Sequence, residues 1–388
     1  RFALDEVAPE HPHHRRALWT ALLLAFNGVL MAQANTEAPK TDAQVTQARA
    51  AALETYQGAW NVGQQRDAAE LWNTIRTEQP ANTEAQYNYF RSTRNSSLAT
   101  NNGRIPASDK ATLEGAANEL ERVAPGSFES NMANFYLGYP DRAAFTELGK
   151  AYQKAPDRTE LIGPMIDRAM LDNDGASLER WTRALRTRGG LAPGLIDAAS
   201  DLLQSVDANG IVFTNGDMDT YPAVAAQVVD QQRTDVLVVD QRLLADPGYR
   251  AQVWSASDAS GTAPGPGPSY AKALCTSTDR PVFLALSLDP SWFQALRGQL
   301  YASGLAFRLS NTPQENIPVL EARWGLLRKP ANAGPMSRNY LLPATVLLQH
   351  YRSMDDEANS SRMEAELRKF AERIGATPEL YKAGILKH

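Results

Sequence analysis

Cysteine is all but missing from this chain: one residue, Cys275, in 388. That excludes an intramolecular disulfide and any cysteine-rich zinc site. Histidine is scarce as well, with five residues, of which His11, His13 and His14 crowd the N-terminus and His350 and His388 stand apart from any ligand-like spacing. No dense block of lysine and arginine occurs, and the formal net charge is -5. Nucleic acid is therefore not an expected partner, since phosphate binding wants a concentrated basic surface. Several chemical signatures are lacking too. GDMDT is not followed by the lysine of a Walker loop, NGDMD lacks the further ligands of a calcium loop, and no G-x-S-x-G elbow is present.

What is present begins with an address. Arg15 and Arg16 precede an apolar run over residues 17–31, ALWTALLLAFNGVLM, and Ala32-Gln33-Ala34 follows as a small-x-small cleavage site. A positive n-region, an apolar h-region and an A-x-A site together read as a secretory signal peptide. Residues 1–34 are thus expected to be a signal peptide with an upstream extension, and the protein to be exported, periplasmic or associated with the cell envelope. Thr20, Asn27 and Gly28 interrupt the run, which is short for a membrane span. An uncleaved N-terminal anchor is the alternative. No second span follows, so the mature chain is expected to carry no integral membrane segment.

Residues 42–206 read as helix throughout. Ala51, Leu53, Tyr56 and Trp60 recur at three- and four-residue spacing, and Ala68, Leu71, Trp72 and Ile75 do so on a second helix. Asn82-Thr83-Glu84 after Pro80 is a fresh helix start. AAFTELGKAYQKAPDR resembles the second half of a tetratricopeptide repeat, although the unit spacing is irregular. The expectation is a TPR-like helical-repeat array, with a plain helical bundle as the alternative.

Beyond Gly210 the pattern changes. IVFTN, TDVLVVD, PVFLALSL and GLAFRLS are four apolar, strand-like runs separated by helical segments, including DPSWFQALRGQLY. Such alternation predicts βαβ units and a small parallel, Rossmann-like α/β domain over residues 208–312. SDASGTAPGPGPS within it is a loop composition. Residues 313–388 return to helix in NYLLPATVLLQHYRSM and SRMEAELRKFAERI. The expected fold class is α with α/β: a helical array, a small parallel sheet and closing C-terminal helices.

Within residues 209–244 stand Asn215, Gly216, Asp217, Asp219, Thr220, Tyr221 and Pro222, then Arg233-Thr234-Asp235-Val236 and Val238-Val239. This order of strand, N-G-D-x-D-T-Y-P loop, helix and R-T-D-V strand resembles the soluble C-terminal region of large bacterial membrane proteins, common in the Bacteroidetes group and related to protein O-mannosyltransferases. The transferase half of those proteins is a polytopic membrane domain, and this chain has no counterpart of it. The resemblance implies an accessory domain and does not bring transferase activity with it.

The chemistry of the acidic loop reads two ways. Parallel sheets bind ligands at the carboxyl ends of their strands, where Asn215, Gly216, Asp217, Asp219 and Thr220 fall, with Asp240 and Arg242 on the same edge. Asp217 and Asp219 are spaced to share a divalent cation, Mg or Mn, as hard oxygen ligands. Alternatively Gly216 supplies a positive-φ turn while Asp219 or Thr220 caps the helix. No cofactor is certain. The favoured function is a non-catalytic binding or scaffolding protein of the envelope, accessory to glycan or protein-glycosylation machinery, whose helical repeats hold a protein partner. The alternative is a metal-dependent glycosyl or phosphoryl transferase acting on a sugar or phosphate small molecule at the Asp217/Asp219 loop.

Overall fold

A computed structural model of the chain describes residues 62–101 and 103–387. The signal-peptide segment and the helical face of Ala51, Leu53, Tyr56 and Trp60 lie outside the described residues. Among the described residues no helix is long and apolar enough to cross a membrane. The chain divides into two compact units, one ending at Leu191 and one starting at Ala192.

The first unit is all helix: α1 (Val62–Glu78), α2 (Thr83–Thr100), α3 (Ala107–Val123), α4 (Phe128–Gly138), α5 (Phe145–Lys154), α6 (Ile162–Leu171) and α7 (Gly175–Arg188). Apolar spacing explains the packing. Ala68 and Trp72 are buried against Ala85 of α2, with Ile75 and Tyr89 beside them. Helix starts follow capping chemistry: Asn82, Ser127 and Asp174 each accept a backbone N–H from the first turn of the helix they precede. Phe90, Leu113, Leu120, Met132, Phe135 and Trp181 fill the interior. One charged cluster links distant helices. Arg158 pairs with Glu160 at 2.5 Å and Glu129 at 3.0 Å, its guanidinium lies 4.2 Å from the Phe128 ring centroid, and Arg91 of α2 stands 3.6 Å from Glu160. The helices run from ten to eighteen residues, so successive units differ in length.

The second unit begins with α8 (Pro193–Gln204), which the sequence reading grouped with residues 42–206. It packs on α9 (Thr220–Val228) and on the 3-10 helix Gly334–Tyr340. Five strands form the sheet: β1 (Ile211–Thr214), β2 (Leu237–Asp240), β3 (Val282–Ala285), β4 (Leu300–Ala302) and β5 (Ala306–Leu309), in the order β2-β1-β3-β5-β4. α10 (Pro247–Ala256), α11 (Pro268–Ser277) and α12 (Pro290–Ala295) connect them. β1 is buried at every position, as its unbroken apolar run requires of an inner strand.

The all-parallel sheet expected from the sequence is corrected here. β2, β1 and β3 are parallel, but β5 runs antiparallel to both β3 and β4. The missed element is β4, which the sequence reading absorbed into a helix ending at Tyr301. That helix stops at Ala295, and Leu300–Ala302 turns back through Ser303-Gly304 into β5. So short a connection joins only antiparallel strands. Gly304 has φ +86, and a Cβ there would lie 2.3 Å from the Ser205 Oγ, so both the turn and the close approach to α8 require glycine.

The chain closes with α13 (Ile317–Leu326), α14 (Leu341–Ser353), α15 (Glu357–Arg373) and α16 (Thr377–Lys382). Asp201 on α8 ties this tail down. Its buried carboxylate accepts N–H bonds from Arg328 and Lys329 and a 2.6 Å bond from the Tyr340 hydroxyl. Removing it strands two amides and a hydroxyl in the interior. Asp201→Ala is therefore expected to lower unfolding free energy by about 3 kcal/mol, read by urea denaturation; a loss under about 1 kcal/mol would contradict this anchoring.

Candidate functional site

The acidic loop does sit at the carboxyl end of β1, and the sheet makes the place a natural crevice. The connection from β1 leads to β2 on one side, and the next strand, β3, pairs on the other. Doubly wound sheets bind ligands at such a switch point. In this protein side chains from the three strand ends hydrogen-bond to one another there.

Thr214 ends β1 wholly buried, its hydroxyl donating to the Val239 carbonyl and standing 2.7 Å from the Thr220 hydroxyl. Asn215 bridges three strands. Its Nδ2 donates to the Ser287 carbonyl beyond β3 at 3.0 Å, and its Oδ1 accepts from Gln241 beyond β2 at 2.9 Å. Gly216 turns at φ +103, and its N–H donates to the Thr220 hydroxyl at 2.8 Å. A Cβ at Gly216 would fall 2.2 Å from the Arg242 guanidinium carbon, so no other residue fits without moving that arginine.

The two aspartates singled out by the sequence have different hydrogen-bond partners. Asp219 is 2% exposed and caps α9; its carboxylate accepts from the backbone N–H of Asn215 at 2.9 Å and of Thr220 at 2.7 Å, and from the Ser287 hydroxyl. Asp217 faces the other way and receives Arg242 Nη1 at 2.8 Å. Arg242 is the hub. Its other nitrogens grip the wholly buried Asp240 with bonds of 2.8 to 3.2 Å, and Nη2 reaches the Tyr221 hydroxyl at 3.3 Å. The Asp240 backbone N–H donates to the Tyr249 hydroxyl at 3.2 Å in the same layer. Asp217, Asp240 and Arg242 are thus brought together, while Asp219 joins Asn215, Thr220 and Ser287. Among the described residues no group of three or more His, Cys, Asp or Glu side chains is placed to hold a metal ion.

Ser287 was not foreseen. It lies 68 residues from Asp219 in sequence, and its only sequence signal is its place near the end of the third strand-like run, PVFLALSL. The R-T-D-V motif acts at the opposite end of the strands. Arg233 donates to the Leu203, Val206 and Asp207 carbonyls at the end of α8 and pairs with Asp235 at 2.9 Å. That pairing holds the Asp235 carboxyl down to about 2.

Burial raises Asp219 to about 6, against the hydrogen bonds from Ser287 and Asn215 that favour its anion, and with a further push from Asp240. A raised folded-state value means that the protonated form is the better-tolerated one. Its contribution to stability is full below the unfolded value near 4 and is lost as pH rises through about 6. The stability difference between the wild type and Asp219→Asn is therefore expected to shift by roughly 3 kcal/mol across that window, in the direction of wild-type loss at higher pH. Denaturant melts at a series of pH values measure it; a difference that does not change with pH would contradict the burial argument.

A family model described as TMEM260-associated domain 2 matches residues 195–266. The matched segment runs from α8 to just beyond α10 and contains the whole Asp217–Asp240–Arg242 cluster, so the chain is similar to that domain over this segment. No curated protein matches the chain.

Proposed function

We propose that the chain is a non-catalytic binding or scaffolding protein of the bacterial cell envelope, accessory to glycan or protein-glycosylation machinery. The observation that carries the reading is the occupancy of the sheet-end crevice by the protein itself. Asn215, Asp219 and Ser287 bind one another across the β1–β3 gap, and Arg242 occupies the space between Asp217 and Asp240. A catalytic centre at this place needs open coordination positions or a nucleophile with a free base. Here the polar groups are spent on holding three strand ends together.

The same arrangement weighs against the metal-dependent glycosyl or phosphoryl transferase. Arg242 already supplies Asp217 and Asp240 with the positive charge that Mg or Mn would bring. A cation at Asp217 has to displace a guanidinium that bridges two carboxylates. The helical unit, with its tetratricopeptide-like sequence, is then the binding surface, since stacked helices of this kind expose continuous grooves to partners. The envelope address rests on Arg15, Arg16, the apolar run and Ala32-Gln33-Ala34. The link to glycosylation rests on the domain similarity over residues 195–266.

Thermal melts with and without millimolar Mg²⁺ or Mn²⁺ test the reading. The expected outcome is no shift for the wild type or for Asp217→Ala. A rise of several degrees in the wild type that Asp217→Ala abolishes would contradict it and restore the transferase.

A further inference from the structure

A groove of about 490 Å³ opens in the first unit between the end of α3, the length of α4 and one face of α5. That volume falls in the range of small-ligand sites. Asn131 and Asn134 enter it from α4, while Glu147, Lys150, Gln153 and Lys154 enter from α5. The α5 residues recur at i, i+3, i+6 and i+7, so one side of that helix lines the groove over about 10 Å.

The lining defines what fits by what it lacks. No aliphatic or aromatic side chain faces the groove, so lipid tails and the apolar face of a partner helix find no counterpart. Peptide recognition uses a sheet edge, an apolar or aromatic groove, an arginine cluster or a backbone nest; none of these lines this surface. Charge is balanced. Lys150 pairs with Glu147 at 2.6 Å, and Glu121, which accepts from the Ser130 hydroxyl, also lies at the rim. Two carboxylates beside two lysines favour neither an anion nor a cation.

What remains is hydrogen-bonding capacity of both signs. Asn131 is 4% exposed and spends its Nδ2 on the Gly126 carbonyl, which fixes the amide and leaves its Oδ1 available. Asn134, Gln153 and Lys154 make no side-chain bond among the described residues. Side-chain amides each offer a donor and an acceptor, and a sugar hydroxyl answers both from a single atom. We infer that this groove is a binding site for a neutral oligosaccharide of two to three residues. The inference rests on the binding role proposed above and names the ligand class.

Isothermal titration of the full chain with mannotriose, chitotriose and maltotriose, with triglycine as the peptide arm, tests it. Binding of at least one trisaccharide is expected, weakened about three- to tenfold in Asn134→Ala and in Gln153→Ala. Lys110→Ala, an exposed position outside the lining, is expected to bind as the wild type does. Both test positions are solvent-accessible, so folding is kept, and a melt of each variant verifies this. No heat with any trisaccharide, binding that Asn134→Ala and Gln153→Ala leave unchanged, or binding of triglycine alone would each overturn the site. Chromatography of the recovered sugar separates the two ideas. A shortened or transferred saccharide contradicts the non-catalytic reading, whereas intact sugar with no heat removes the groove and leaves that reading standing.

Discussion

A carboxylate with no access to solvent has to be met by a cation or a set of donors, and in this protein Asp240 is met by Arg242. The requirement shapes everything around it. The guanidinium is bonded to Asp240 at the end of β2, so the loop after β1 has to pass it without a side chain at Gly216. The same guanidinium then reaches Asp217, which fixes the first aspartate of the loop and leaves the second, Asp219, to turn toward β3. Two carboxylates that look like a ligand pair in sequence are thereby separated by the geometry of one arginine.

Polar side chains are used differently in the two units. In the second unit several polar groups have a structural duty: the buried Asp201 holds the tail, and the half-buried Arg233 and Asn215 close α8 and join three strand ends. Such networks specify one arrangement. In the first unit Phe90, Leu120 and Phe135 are among the apolar side chains that fill the interior, the Arg158 cluster links the helices, and the groove on α4 and α5 carries polar side chains, of which Asn134 and Gln153 make no side-chain bond among the described residues.

The helices were legible because their apolar spacing and caps are local: Trp72 with Ala68, and Asn82 before α2, follow from neighbours a few residues away. Four strands and the position of the acidic loop were legible for the same reason. The antiparallel half of the sheet was not. Leu300–Ala302 is three residues long, too short to show a period, and its strand character comes from pairing with β5. Nor could sequence distinguish a ligand loop from a capped turn at Asp217 and Asp219. That choice depends on Arg242 and Ser287, which reach the loop through the fold, Ser287 from 68 residues away. The groove on α4 and α5 left no motif at all, since its amides and lysines are ordinary surface residues until two helices bring them together.

A double-mutant cycle on Arg242→Met and Asp240→Asn tests most directly whether the sheet end is closed by an internal ion pair. Each single substitution leaves a buried partner uncompensated and is predicted to cost about 3 kcal/mol, with the double variant costing well under the sum and a coupling of roughly 1–3 kcal/mol. Strict additivity, or an Arg242→Met variant as stable as the wild type, would show that the arginine is not needed to close the crevice and would reopen the loop as a ligand site.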